Sequence, residues 1–142
     1  MEVVYYFDEE EGVSPVKKYL EQYISTDKDS PKKKNYNLNI FADINEKIKH
    51  IAGVCDGRPF KPIAKPLKDY PFFEITHRKN KNTLIRLLFF RHNNKMILLN
   101  AFDKPDNYKT SAEKGKIKRY LNKTNEYRNK FIKNKKNYEK YE

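Results

Sequence analysis

Phe72-Phe73-Glu74-Ile75-Thr76, Leu84-Ile85-Arg86-Leu87-Leu88-Phe89-Phe90 and Met96-Ile97-Leu98-Leu99-Asn100-Ala101-Phe102 are three apolar, aromatic-rich runs of strand length. Asn80-Lys81-Asn82 separates the first pair and His92-Asn93-Asn94-Lys95 the second, and both read as hairpin turns. The spacing predicts an antiparallel three-stranded meander. Its middle run is apolar throughout except for Arg86.

Upstream, Val3 to Phe7 reads as a further strand, followed by an acidic turn over residues 8–12. Ser14-Pro15 is a helix start, because serine caps and proline suits the first helical position. Val16, Leu20, Tyr23 and Ile24 then share one helical face. Residues 27–37, with Pro31 and three consecutive lysines, read as a charged loop. Phe41, Ile44, Ile48 and Ile51 predict a second helix ending at Gly53. Residues 57–68 carry three prolines and read as an irregular basic segment.

Downstream, Thr110-Ser111-Ala112-Glu113 has capping-box spacing, so a third helix begins there. Ile117, Tyr120, Leu121, Thr124, Tyr127 and Phe131 share one face of it, and the Lys- and Asn-rich tail from Lys133 is expected to fray. The fold class is therefore α+β: a small, mostly antiparallel sheet of an N-terminal strand plus a three-stranded meander, with two N-terminal helices and a C-terminal helix.

The 142 residues suit one domain. No stretch approaches the roughly 20 apolar residues of a membrane helix, and the N-terminus lacks a basic start and apolar run, so a cytoplasmic, non-membrane protein is expected. The single cysteine, Cys55, excludes an internal disulfide and reads as an idle thiol. Lys and Arg number 31 against 19 Asp and Glu, a net charge of +12. From Lys104 to Glu142 there are 13 basic and 5 acidic residues, net +8. Lysine-rich solvated helix is one reading of this excess. The 11 Tyr and 9 Phe among the cations favour another, because a base stacks on an aromatic while its phosphate meets a cation.

There is no glycine-rich phosphate loop and no Cys-x-x-Cys or His-x-x-x-His spacing, and His50, His77 and His92 are scattered. No metal or cofactor is expected. A metal-independent ribonuclease uses the RNA 2′-hydroxyl as nucleophile and needs a base, an acid and cations for the phosphorane charge. Arg86 suits the last task. In the middle of a strand it either pairs with a carboxylate, for which Glu74 is placed, or faces an open groove. Lys104, Tyr108 and Lys109 lie at the mouth of the same sheet, and Lys109 precedes a helix N-terminus, which attracts phosphate. His77 and Arg78 end the first meander strand. The candidate catalytic set is Arg86, Lys104, Tyr108, Lys109 and His77. The candidate RNA contacts are Arg78, Lys65, Lys68 and Arg91.

Val4-Tyr5-Tyr6-Phe7, Gly12-Val13-Ser14-Pro15-Val16, Tyr19-Leu20, Lys65-Pro66-Leu67-Lys68, Phe73-Glu74-Ile75, Ile85 to Phe90 and Ile97 to Lys104 together resemble the phage-derived, HigB-like branch of the RelE/ParE toxin superfamily. The resemblance spans residues 3 to 121. It implies a RelE-like toxin domain over residues 1–121, with residues 122–142 a basic helical extension of the same domain. It also implies the toxin of a bacterial type II toxin–antitoxin pair, an mRNA endoribonuclease acting on the ribosome and inhibiting translation. The partner implied is an antitoxin with a helix-turn-helix domain, in a heterotetrameric complex. The family's phosphate-contacting strand arginine falls on Arg86, its basic residue after the last strand on Lys104, and its helix-opening Lys-Thr on Lys109-Thr110. The branch usually has Gly, and often His before it, where this chain has Ala101 and Asn100. Two alternatives stand beside this reading: a non-enzymatic, ParE-like gyrase inhibitor, and a basic RNA- or ribosome-binding module.

Overall fold

The computed structural model describes residues 1–106 and 110–141. In chain order the elements are β1 (Glu2–Tyr6), α1 (Pro15–Glu21), α2 (Pro31–Gly53), β2 (Ala64–Pro66), β3 (Phe73–Asn80), β4 (Thr83–His92), β5 (Lys95–Pro105), α3 (Ser111–Lys133) and β6 (Tyr138–Lys140). They make an α+β structure around one open, mostly antiparallel six-stranded sheet, ordered β2-β3-β4-β5-β1-β6. The β1–β5 pair is parallel and the others are antiparallel. The meander is present as expected. Its β4–β5 loop is Asn93-Asn94, both at positive φ (46° and 63°), which is the backbone of a tight two-residue hairpin turn.

The strand runs are almost continuously apolar because both sheet faces are covered. Ile85, Leu87 and Phe89 of β4 face α1 and α2, where they meet Leu20, Ile44, Ile48 and Ile51. Leu88 and Phe90 face α3, where they meet Ile117, Tyr127 and Phe131. Phe131 is 1% exposed. Burial of a side chain that size contributes roughly 1.5–3 kcal/mol. In β5 the register slips by one between Leu88 and Phe89, so Leu99 is an extra residue. The bulge lets Asn100 reach α3, and its Nδ2 donates to Thr124 Oγ1 at 3.0 Å.

Three expectations need correction. First, the three-lysine run is not loop but the first turn of α2. Ser30 caps it, its Oγ accepting from Lys33 N at 3.1 Å, and Pro31 opens it. The same Ser-Pro pair opens α1 at residues 14–15, where Ser14 takes the N-cap position without a side-chain cap bond. Second, α1 stops at Glu21, so Ile24 lies beyond the helix and is 62% exposed. Third, the tail does not fray. After α3 it turns back as β6 and pairs with β1. Tyr141 anchors it, its ring 5.1 Å from Tyr5 and its hydroxyl donating to Asn45 Oδ1 at 2.5 Å. The sheet therefore has six strands where four were expected. The short β2 edge also forms within the irregular basic segment.

Candidate nucleic-acid interface

Cross-strand register fixes which side chains share a face, because directly paired residues point to the same side of a sheet. Across β3, β4 and β5, one row on the α3 side is Thr76–Arg86–Phe102 and the next is Arg78–Leu84–Lys104. Helix α3 runs along this face. Its Phe131 meets Phe90, its Thr124 bonds Asn100, and its Tyr120 stacks flat on Phe102 at 4.4 Å and 4°. The Arg78–Leu84–Lys104 row lies past that stack, at the end of the helix that Thr110 caps. Thr110 Oγ1 accepts from Glu113 N at 3.1 Å.

Arg86 does not open onto a groove. It is 7% exposed. Its Nε donates to Glu74 Oε2 at 2.5 Å, and a terminal nitrogen lies at the same distance from that oxygen. The guanidinium also sits 5.5 Å from the Phe102 ring centre. Glu74 is 3% exposed, and its other oxygen faces Lys65 Nζ at 3.3 Å. A lone guanidinium under α3 costs several kcal/mol, so the carboxylate two residues into β3 is what makes Arg86 tolerable there. Of the two possibilities read from the sequence, the ion pair is the one formed. Two cations thus share the Glu74 carboxylate, and Lys104 stands in the adjoining row.

His77 is not part of this cluster. Alternation along β3 sends it to the opposite face, against α2. There Lys47 Nζ lies 3.2 Å from Nδ1 and also donates to Thr76 O at 2.9 Å. Asp43 Oδ2 lies 3.8 Å from Nε2. Burial, reinforced by the Lys47 charge, pushes the His77 pKa below its ordinary value despite Asp43. The imidazole is thus kept in its neutral form, on the face of the sheet opposite Arg86.

The remaining expected residues are spread out. Tyr108 and Lys109 lie outside the described residues. Arg78 pairs with Asp106 at the open end of the rows. Lys65 is held on Glu74, and Lys68 is exposed on the loop after β2. Arg91 is at the far end of β4, where it bonds the Asp56 carbonyl at 2.9 Å and its carboxylate at 3.1 Å. Arg86 and Lys65 thus meet on Glu74, Arg78 and Lys104 share the adjoining row, and Arg91 lies apart at the far end of β4.

Behind the rows, on the α1 side, Asp103 ties the strand ends to α1. It accepts from the Tyr19 hydroxyl, and its Oδ2 is 2.9 Å from Lys79 Nζ. Tyr19 also bonds Tyr23 at 3.1 Å. Burial and then the Asp103 bond drive the Tyr19 pKa far up, so this phenol stays protonated. Sequence reading missed Arg58 and Arg128, which line one cleft with Arg91 at the other end of the sheet. Arg128 was one cation among many on α3, and no spacing marked it. Among the described residues, no three His, Cys, Asp or Glu side chains cluster as metal ligands would. No helix is long and apolar enough to cross a membrane among the described residues. No protein-family model matches the chain, and comparison with curated proteins and with solved structures finds no match either.

Proposed function

We propose that this chain is a RelE-like, cytoplasmic toxin of a type II toxin–antitoxin pair that binds mRNA and cleaves it without a metal. The observation that carries the proposal is the sheet face that holds the Arg86–Glu74–Lys65 cluster and, in the row towards the capped end of α3, Arg78 and Lys104. Cations gathered on one sheet face suit a phosphate, because their charge offsets the negative charge that builds on phosphorus.

In the cleavage step the RNA 2′-hydroxyl loses its proton to a base and its oxygen attacks phosphorus. The bond to the 5′-oxygen breaks, that oxygen takes a proton, and a 2′,3′-cyclic phosphate remains. Lys104 and Arg86 stabilise the phosphorane charge. Lys109 holds a flanking phosphate and Tyr108 stacks or donates a proton. The Arg86–Glu74 pair is too buried for a phosphate to reach it as it stands, so RNA engagement requires Arg86 to part from Glu74. The ribosome supplies orientation, which is worth a large share of such a rate. A helix-turn-helix antitoxin, bound in a heterotetramer, would silence the basic face.

The burial of the Arg86–Glu74 pair favours a second reading, a basic RNA- or ribosome-binding module with no cleavage. Induced expression separates the readings. The toxin arrests growth and produces cut mRNA, and Lys104→Ala lowers the cleavage rate about 10²-fold, the usual loss for one charge-stabilising donor. Intact mRNA with the protein bound to ribosomes establishes the module instead. Blocked replication with intact mRNA establishes gyrase inhibition.

A further inference from the structure

At the opposite end of the meander is a cleft of about 600 Å³. Three arginines line it, Arg58, Arg91 and Arg128, together with Phe73 and Phe90. Pro59 and Pro71 complete its walls, and no acid is among the lining residues. Such a volume falls in the range of small-ligand sites. It lies away from the rows described above, since Arg91 and Arg86 are five residues apart on β4, roughly 17 Å at strand rise.

The chain builds this cleft by specific means. Asp56 and Gly57 both have positive φ, 54° and 72°, and so turn the chain sharply after α2. A Cβ on Gly57 would lie 2.3 Å from Met1 Sδ and 3.5 Å from Arg91 Cδ, so the turn is packed tightly against the end of β4. That turn presents Arg58, whose side of the cleft is exposed. Arg91 is fixed by its two bonds to Asp56. The Arg128 guanidinium lies 5.3 Å from the centre of the Phe90 ring.

Two polar atoms at this end lack partners. Arg128 Nε is buried and makes no hydrogen bond, and so is His92 Nε2, on a ring 6.1 Å from Phe90. The Arg128 Nε–H is a donor buried without an acceptor, which costs free energy and marks a place for one. The local field has the same sign. Besides burial, Lys135, Arg128 and Lys95 all push the His92 pKa down.

We propose that this cleft is a binding site for single-stranded RNA, separate from the cleavage face. A phosphate sits in the fork of Arg58 and Arg128, with Arg91 behind it. A base lies against the half-buried face of Phe73 and the proline walls. Planar guanidinium forks match phosphate oxygens, and an aromatic face takes any base, so the site is tolerant of sequence. A duplex keeps its bases stacked inside and leaves the apolar wall unused, which is why the strand is single. This inference rests on the RNA-binding part of the proposed function but not on cleavage.

The test is fluorescence anisotropy with a short labelled oligouridine across a range of salt, on the full chain. The Arg58→Gln/Arg128→Gln variant is expected to bind about 10–100-fold more weakly. Its log–log salt slope is expected to fall by about 1.4, from two lost phosphate contacts at roughly 0.7 each for a single strand. Photo-crosslinking of 4-thiouridine RNA to the unaltered protein is expected to mark the peptide holding Phe73 or Pro59, a readout that does not depend on the variant folding. Equal binding by the variant, with crosslinks confined to the Lys104 end, overturns the cleft and leaves RNA binding standing. Absence of RNA binding by the unaltered protein overturns both. An Asp- and Glu-rich peptide that binds the unaltered protein but not the variant, with no RNA binding, reassigns the cleft to an acidic protein segment.

Discussion

Replacing Arg86 with methionine removes a guanidinium from a carboxylate that is 3% exposed. Glu74 would keep one cation, Lys65 at 3.3 Å, whose side chain is 57% exposed and already screened by water. Breaking a buried pair by removing one partner costs about 3–5 kcal/mol, because the surviving charge stays buried. The residual Lys65 contact places the expected loss at the lower end, about 3 kcal/mol. For a chain of this length that lowers the melting temperature by about 10 °C. Removing both partners, as in Glu74→Leu with Arg86→Met, leaves a packed apolar pair and is expected to restore the parent stability to within about 1–2 kcal/mol. Circular dichroism melts and urea unfolding of the parent, the single variant and the double variant measure this. A single variant that melts within about 2 °C of the parent would refute the buried-pair reasoning. So would a double variant worse than the single.

Asp103→Ala takes the acceptor from Tyr19 and the partner from Lys79. It is expected to cost about 1–3 kcal/mol by urea unfolding, and to bring the Tyr19 titration down in an ultraviolet pH titration. Tyr141→Ala removes the ring on Tyr5 and the bond to Asn45, which is expected to cost about 2 kcal/mol and to raise amide exchange along β1 and β6. His77 has a lowered folded pKa, so the unfolded chain binds its proton first as pH falls. Its contribution to stability is complete above the ordinary histidine range, about 6.5, and is lost as pH drops through the folded value. An NMR titration should place the His77 midpoint below that of an exposed histidine, and His77→Gln should flatten the acid side of the stability–pH curve.

The meander was legible because its runs are long, its turns carry asparagine, and its neighbours pair locally. The Ser-Pro start of α1 was read and the identical start of α2 was not, because three lysines after it look like solvent-seeking loop. In the helix those lysines simply line the exposed first turn. Strand β6 was hidden for a different reason. Tyr138-Glu139-Lys140 has no apolar alternation, and it is a strand because β1 has an open edge beside it. Long-range pairing of this kind leaves little local signature. At the candidate site the sequence named Glu74 as the partner of Arg86, and the pair is formed. Proximity in sequence puts His77 beside the site, but strand alternation does not: one residue of offset from Thr76, the partner of Arg86, turns it to the other side of the sheet. The Arg58–Arg128 cleft draws on residues 70 positions apart and was invisible to any spacing rule.

The central claim is that the Lys104–Arg86 face acts on RNA bound to the ribosome. It is tested most directly by adding the purified protein to translating ribosomes and mapping mRNA ends, with chelator present. Discrete cuts ending in 2′,3′-cyclic phosphate, made by the parent and about 10²-fold more slowly by a folded Lys104→Ala variant, are the expected result. Intact messages under conditions where the protein saturates the ribosomes, or equal cutting by Lys104→Ala, would contradict it.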